Sequence, residues 1–243
     1  MSEERLVVDG IEALLLLPDG AGPFPLVVQY MDALGLRPAL TTMGQRLVEA
    51  GYAVLQPNLY WRSGSFAPFD YATVFSDPVE RPRLGALMNA LTPDDAMADT
   101  AALLAHLDGD PRVLAGSVGV VGYCMGGRMA FFASSRLADR VVAAASIHGG
   151  GLVTPAENSP HLAVGQIRAR LVFGVAADDA SCPPVAVITL KRALTEAGVP
   201  FTVHAEATAK HGYAVPDSPV YDEAAAERHW SQVLGLFGSM LMA

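Results

Sequence analysis

Short apolar runs alternate along the chain with segments whose apolar residues recur every three or four positions, the rhythm of buried strands and amphipathic helices. RLVVDG followed by IEALLLLPDG reads as two edge strands, and PLVVQY, from Pro25 to Tyr30, as a buried strand entered from the turn-rich DGAGPFP. Between Leu40 and Ala50, the residues Leu40, Met43, Leu47 and Val48 share one helical face, and Gly51 supplies the stop. YAVLQP is the next strand; Thr92 to Leu107 is a helix with Pro93 in its first turn and Asp94 and Asp95 at its positive end. There follow a strand VGVVGY, a helix RMAFFASSRL, strands VVAAASIHGG and LVFGVAADD, a helix VAVITLKRALTEAG, a strand FTVHAEA and a last helix from Asp222 to Phe237. The pattern predicts an α/β fold. With no linker and no repeat, residues 1–243 are expected to form one domain. Residues 57–93, rich in proline, glycine, aromatic and charged side chains, are too long for a plain connection and read as a pocket-forming excursion.

Composition narrows the function classes. The chain is 51% apolar and 17% charged, which supports a sizeable core, and its formal charge of -9, from 16 basic and 25 acidic side chains, argues against a nucleic-acid surface. The opening MSEERLVVDG has acids where a secretory leader needs a basic start, and no apolar run is long enough for a membrane span, so a cytoplasmic protein is expected, with no membrane partner. The two cysteines, Cys124 and Cys182, form neither a metal-binding spacing nor a disulfide framework. No metal and no cofactor are expected.

Cys124 sits in the joint between a strand and a helix, in GYCMGG. The pattern G-x-C-x-G places Gly122 and Gly126 where larger side chains would strike the backbone of a sharply strained turn, and such a turn lifts the central residue off the carboxyl edge of a sheet. The N–H of Met125 then lies at a helix N-terminus, where it stabilises a developing oxyanion. A thiolate suits the position because it is already strongly nucleophilic. The plainer alternative is a buried structural cysteine beside a glycine-rich turn; a phosphate loop lacks its lysine here.

A nucleophile elbow requires an acid after a later strand and then a histidine. LVFGVA ends in Asp178 and Asp179, and His211 follows FTVHAEA in AKHGYAV. One of the aspartates fixes the imidazole tautomer, and either could instead cap the helix that follows. His106 and His229 fall on helices, His161 in a loop and His204 in a strand, whereas His148 ends a strand at the edge of the elbow and is a candidate substrate contact.

Together GYCMGG, ADDASCPP, KHGY and the early strand leading into YMDALG resemble the dienelactone hydrolases, cysteine members of the α/β-hydrolase fold, over nearly the whole chain. The resemblance implies an α/β-hydrolase fold, with a mostly parallel central sheet carrying helices on both faces. It also implies Cys124 as nucleophile, His211 as base and Asp179, by its spacing to Pro183, as acid. A family glutamate that meets the resting thiol corresponds to Asp32, one methylene shorter, and the N–H of Ala33 would be the second oxyanion donor. Two arginines in the family grip a substrate carboxylate. Val215 stands at one of those positions, and the other falls in the excursion, where Arg81 and Arg83 are candidates. The family's PDLY is PNLY, with Asn58 in place of the acid. Tyr60 and Tyr123, with Trp61 and Phe66, read as the lining of a less polar pocket or as core. The expectation is a monomeric or homodimeric cysteine hydrolase acting on a small-molecule ester or lactone through a thioacyl intermediate. A non-catalytic protein binding a small ligand in the same pocket is the alternative; thiol redox chemistry lacks a resolving cysteine near Cys124.

Overall fold

The computed structural model describes residues 1–242. Its strands are Ser2–Val8 (β1), Ile11–Leu17 (β2), Phe24–Tyr30 (β3), Ala53–Pro57 (β4), Val113–Tyr123 (β5), Val141–Ile147 (β6), Arg170–Asp178 (β7) and Phe201–Lys210 (β8). All belong to one sheet ordered β1-β2-β4-β3-β5-β6-β7-β8, antiparallel at β1, β2 and β4 and parallel from there on. Of the two strands expected at the edge only β1 is there, because β2 pairs on its other side with β4. This is the α/β-hydrolase fold.

The helices are Pro38–Glu49 (α1), Glu80–Ala90 (α2), Pro93–Leu107 (α3), Met125–Arg136 (α4), Pro184–Glu196 (α5) and Glu223–Leu241 (α6). α1 begins with proline at its first turn and gives way at Gly51, whose φ of +95° suits glycine. The hydroxyl of Thr92 accepts the Asp95 N–H at 3.1 Å and caps α3. α6 meets the sheet beneath Gly119, where Phe237 and Leu241 leave no room for a side chain, and a bidentate Arg46–Glu227 pair joins it to α1. α4 takes the opposite face, with Phe131 edge-on to Phe173 at 5.4 Å. Side chains alternate along β5, so Gly119 admits α6 and Gly122 admits the start of α4. Among the described residues no helix is long and apolar enough to cross a membrane.

Candidate active site

β5 ends in register with its neighbours, Gly122 beside Tyr30 and Ser146, so the turns after β3, β5, β6, β7 and β8 open on one edge of the sheet, the carboxyl edge where parallel sheets hold their ligands. Cys124 is the turn after β5, with φ 55° and ψ −116°, a strained conformation for any side chain. A Cβ at Gly122 would overlap the Gly126 carbonyl oxygen, and one at Gly126 would overlap the carbonyls of Tyr30 and Met31. Both glycines of the motif are therefore required by close approach of backbone to backbone. The same tight packing brings the first turn of α4 against the segment that follows β3. Neither the Met125 N–H nor the Ala33 N–H has an acceptor among the described residues. The Tyr60 hydroxyl donates to the Ala33 carbonyl at 2.9 Å and lies 3.4 Å from the Met125 sulfur, bridging the two segments.

Asp179, at the end of β7, and His211, just past β8, meet at 2.7 Å between the carboxylate Oδ2 and Nδ1. Ser181 completes the arrangement: its hydroxyl donates to Asp179 Oδ1 at 2.6 Å and lies 3.0 Å from His211 Nδ1, and its N–H donates to the same carboxylate at 2.8 Å. Burial opposes the charge on Asp179, but hydrogen bonds from His211 and Ser181 outweigh it and hold the carboxyl below its usual range. Burial likewise opposes the His211 imidazolium, yet the hydrogen-bonded Asp179 carboxylate and the neighbouring Cys124 sulfur raise it to about 10. Asp178 is exposed and lies opposite Lys210 in the β7–β8 pairing, and the cap of α5 is Pro183, so neither aspartate caps that helix.

Asp32, at the place of the family's thiol-contacting glutamate, has other partners. Its side chain is buried and both oxygens are committed to Arg37, at 2.7 and 2.8 Å, with Oδ1 also accepting the Leu34 N–H at 3.0 Å. Arg37 in turn pairs with Asp217 at 2.7 and 2.9 Å and stacks 5.4 Å over Tyr71. The shorter aspartate is drawn away to a guanidinium, and the resulting clamp ties the loop after β3 to the loop after His211.

Cys124 and His211 open into a cavity of about 320 Å³ whose other walls are Asp32–Leu34, Tyr71, Phe75, Met88 and Ser218–Val220. A larger groove of about 620 Å³ runs along β1, β2 and α1 and contains neither Cys124 nor His211, so the smaller cavity is the candidate site. From residues 57–93, Tyr71, Phe75 and Met88 line this cavity. Arg81 is exposed on α2 and absent from the cavity wall; Arg83 pairs with Glu80, donates to the Ala67 carbonyl at 2.7 Å and stacks on Phe69. Tyr60 and Tyr123 are core residues, Tyr60 drawn inward by the Ala33 carbonyl and Tyr123 packed against two histidine rings. Trp61 is held by Asp99 at 2.8 Å, Phe66 packs on Tyr60, and Val215 is buried off the cavity. His148 does not reach the cavity either: it is 1% exposed, and its Nδ1 accepts the Cys124 N–H at 3.1 Å. Among the described residues no group of three His, Cys, Asp or Glu side chains is arranged to hold a metal.

Sequence reasoning missed Arg37, Ser181 and the pocket residues Tyr71, Phe75 and Met88. Ser181 had a local signal, since Asp-x-Ser is a turn in which the carboxylate accepts the serine N–H. Arg37 had none, because its second partner lies 180 residues away.

A family model described as the dienelactone hydrolase family matches residues 11–241. A protein of Synechocystis sp., provisionally named carboxymethylenebutenolidase, is 25% identical over 241 residues, 95% of this chain and 92% of its own. The carboxymethylenebutenolidase of Pseudomonas sp. (strain P51) is 34% identical over 112 residues, 46% of this chain and 44% of that one. A crystal structure from Klebsiella pneumoniae, provisionally named dienelactone hydrolase, superposes with a TM-score of 0.85 at 21% identity, covering 98% of both chains, a likeness of fold.

Proposed function

The chain belongs to the dienelactone hydrolase family, a family of hydrolases acting on small substrates, and from that premise we propose that it cleaves an uncharged ester or lactone through Cys124, His211 and Asp179. The observation that carries the reading is that His211, paired with Asp179 at 2.7 Å, and Cys124 open together on one cavity. His211, made more basic by Asp179, takes the thiol proton, and Asp179 balances the imidazolium. The thiolate attacks the carbonyl carbon, and the oxyanion accepts the N–H groups of Met125 and Ala33. His211 returns its proton to the leaving alkoxide, which opens a lactone or frees an alcohol and leaves a thioester on Cys124. Water then gives a proton to His211 and attacks the thioester; the acid departs and the proton returns to sulfur.

The preference for an uncharged substrate rests on the cavity wall. It is built mainly of Leu34, Tyr71, Phe75, Met88, Pro219 and Val220, with no lysine or arginine on it. Arg37 stands behind the wall with its guanidinium shared between two carboxylates. A substrate carboxylate would lose its hydration there beside the Asp32 carboxylate, with no cation but the His211 imidazolium, whose charge Asp179 already balances, which is costly. Chromogenic short-chain esters and neutral lactones test the reaction: the wild type should turn over and Cys124→Ala should not. Turnover by Cys124→Ala equal to wild type would refute the mechanism. A carboxylate-bearing lactone should show kcat/KM at least about tenfold below that of its methyl ester, since even 1.4 kcal/mol of lost stabilisation gives that ratio. Preference for the free acid would overturn the assignment of substrate charge.

A further inference from the structure

His148 is the first residue after β6, and its φ of +38° is a region that residues other than glycine rarely occupy. The conformation turns the ring back beneath the elbow. There Nδ1 accepts the Cys124 N–H at 3.1 Å, an N–H shared with the Ile147 carbonyl at 3.1 Å, while the Gly150 N–H reaches the Cys124 carbonyl at 3.3 Å. Residues 147–150 thus hold the Cys124 peptide on both of its polar sides. The ring also meets the His211 ring edge-on, with centroids 5.2 Å apart. An acceptor at Nδ1 requires a neutral ring protonated at Nε2, and that nitrogen is buried without a partner among the described residues. A buried unsatisfied N–H is costly, so something else must favour the arrangement. Burial first, and then the neighbouring His211 and His229, hold the ring neutral well below the usual histidine range, against a pull from Asp179; Tyr123 and Tyr213 close the remaining sides.

We propose that His148 is a positioning residue for the reaction: its Nδ1 fixes the Cys124 amide, and with it the strained backbone that aims the sulfur at His211, while its ring backs the His211 imidazole. It touches no substrate, being outside the cavity wall. A charged His148 would present a donor to the Cys124 N–H and undo the elbow. The inference rests on Cys124 being the nucleophile.

His148→Asn keeps an acceptor near the place of Nδ1, and asparagine tolerates positive φ; His148→Leu removes the acceptor. Leucine should lower both kcat for a chromogenic ester and the rate at which iodoacetamide alkylates Cys124 by at least about tenfold, the scale of a displaced reacting group, with KM little changed. Asparagine should restore both to within about threefold. Equal losses in the two variants, or a leucine variant alkylated at the wild-type rate, would overturn the proposal. Nitrogen-15 spectra of the wild-type imidazoles test it without any substitution: His148 should be protonated at Nε2 only and should not titrate between about pH 5 and 9. A proton on Nδ1, or a titration in that range, would equally overturn it. The spectra do not depend on the hydrolytic mechanism, so failure of the cysteine reading, seen as turnover by Cys124→Ala, is distinguishable from failure of this one.

Discussion

Asp178 and Asp179 are adjacent in the chain, and only the direction of each side chain separates their roles. Asp179→Asn should lower kcat by at least about a hundredfold, because the imidazole loses the group that fixes its tautomer and balances its charge. The same change should move the alkaline limb of kcat/KM from near the His211 value of about 10 toward the ordinary 6.5. Asp178→Asn should leave both unchanged; the reverse ranking would transfer the acid role. Arg37 makes a different kind of statement, since it holds a carboxylate with only 1% of its side chain exposed. Arg37→Ala strands that charge and should cost about 3–5 kcal/mol of stability, read from denaturant midpoints, with Asp32→Asn in the same chain recovering part of it. Independent, additive effects would show that the clamp contributes nothing as a pair. Cys124 and His211 were legible in the sequence because each sits in a short local pattern. The commitment of Asp32 to Arg37 was not legible, because an ion pair is chosen by three-dimensional neighbours, here including Asp217.

The turn between β5 and α4 exists only because two glycines allow backbone to touch backbone. Gly122→Ala and Gly126→Ala should each abolish alkylation of Cys124 and lower the melting temperature, since the atoms each Cβ would meet are carbonyl groups that cannot yield. Gly85→Ala is the matched control: it lies within α2 with nothing near its would-be Cβ, and it should raise stability by about 0.5–1 kcal/mol through helix propensity alone. A destabilised Gly85→Ala would mean that α2 is packed differently. Elements with clear apolar periods and end signals, such as α1 and α3, were readable from the chain. Two strands extend past their apolar cores, β5 back to Val113 and β8 on to Lys210. Most of their outer residues are exposed, and the far ends are held by pairs that follow a break in register, Val113 with Phe24 and Lys210 with Asp178, which periodicity does not encode.

Across the whole molecule the buried histidines set how stability follows pH. His229 is 0% exposed and is lowered to about 3 by burial and then by Arg46, and His148 is lowered in the same direction, so below about 6.5 the unfolded chain binds protons that the folded one refuses. Stability held by these two rings is therefore present above that value and lost as pH falls toward 3. His211 acts oppositely: its contribution is complete below about 6.5 and is lost as pH rises through about 10. His229→Phe should flatten the acid side of a plot of melting temperature against pH, and an unchanged slope would show that another group drives acid unfolding. The order of elements and the place of the elbow were legible over the whole chain, whereas the pocket wall came from residues 71–88 and 218–220, where loop packing rather than pattern decides which side chains face inward. The central claim, acyl transfer through Cys124, is tested most directly by mixing the enzyme with excess p-nitrophenyl ester, quenching in acid within the first turnover and mapping the chain by mass. The expected result is the acyl group on the peptide carrying Cys124, formed at the rate of the nitrophenol burst and absent from Cys124→Ala. Steady turnover with no acyl group on Cys124 at any quench time, and no burst, would contradict it.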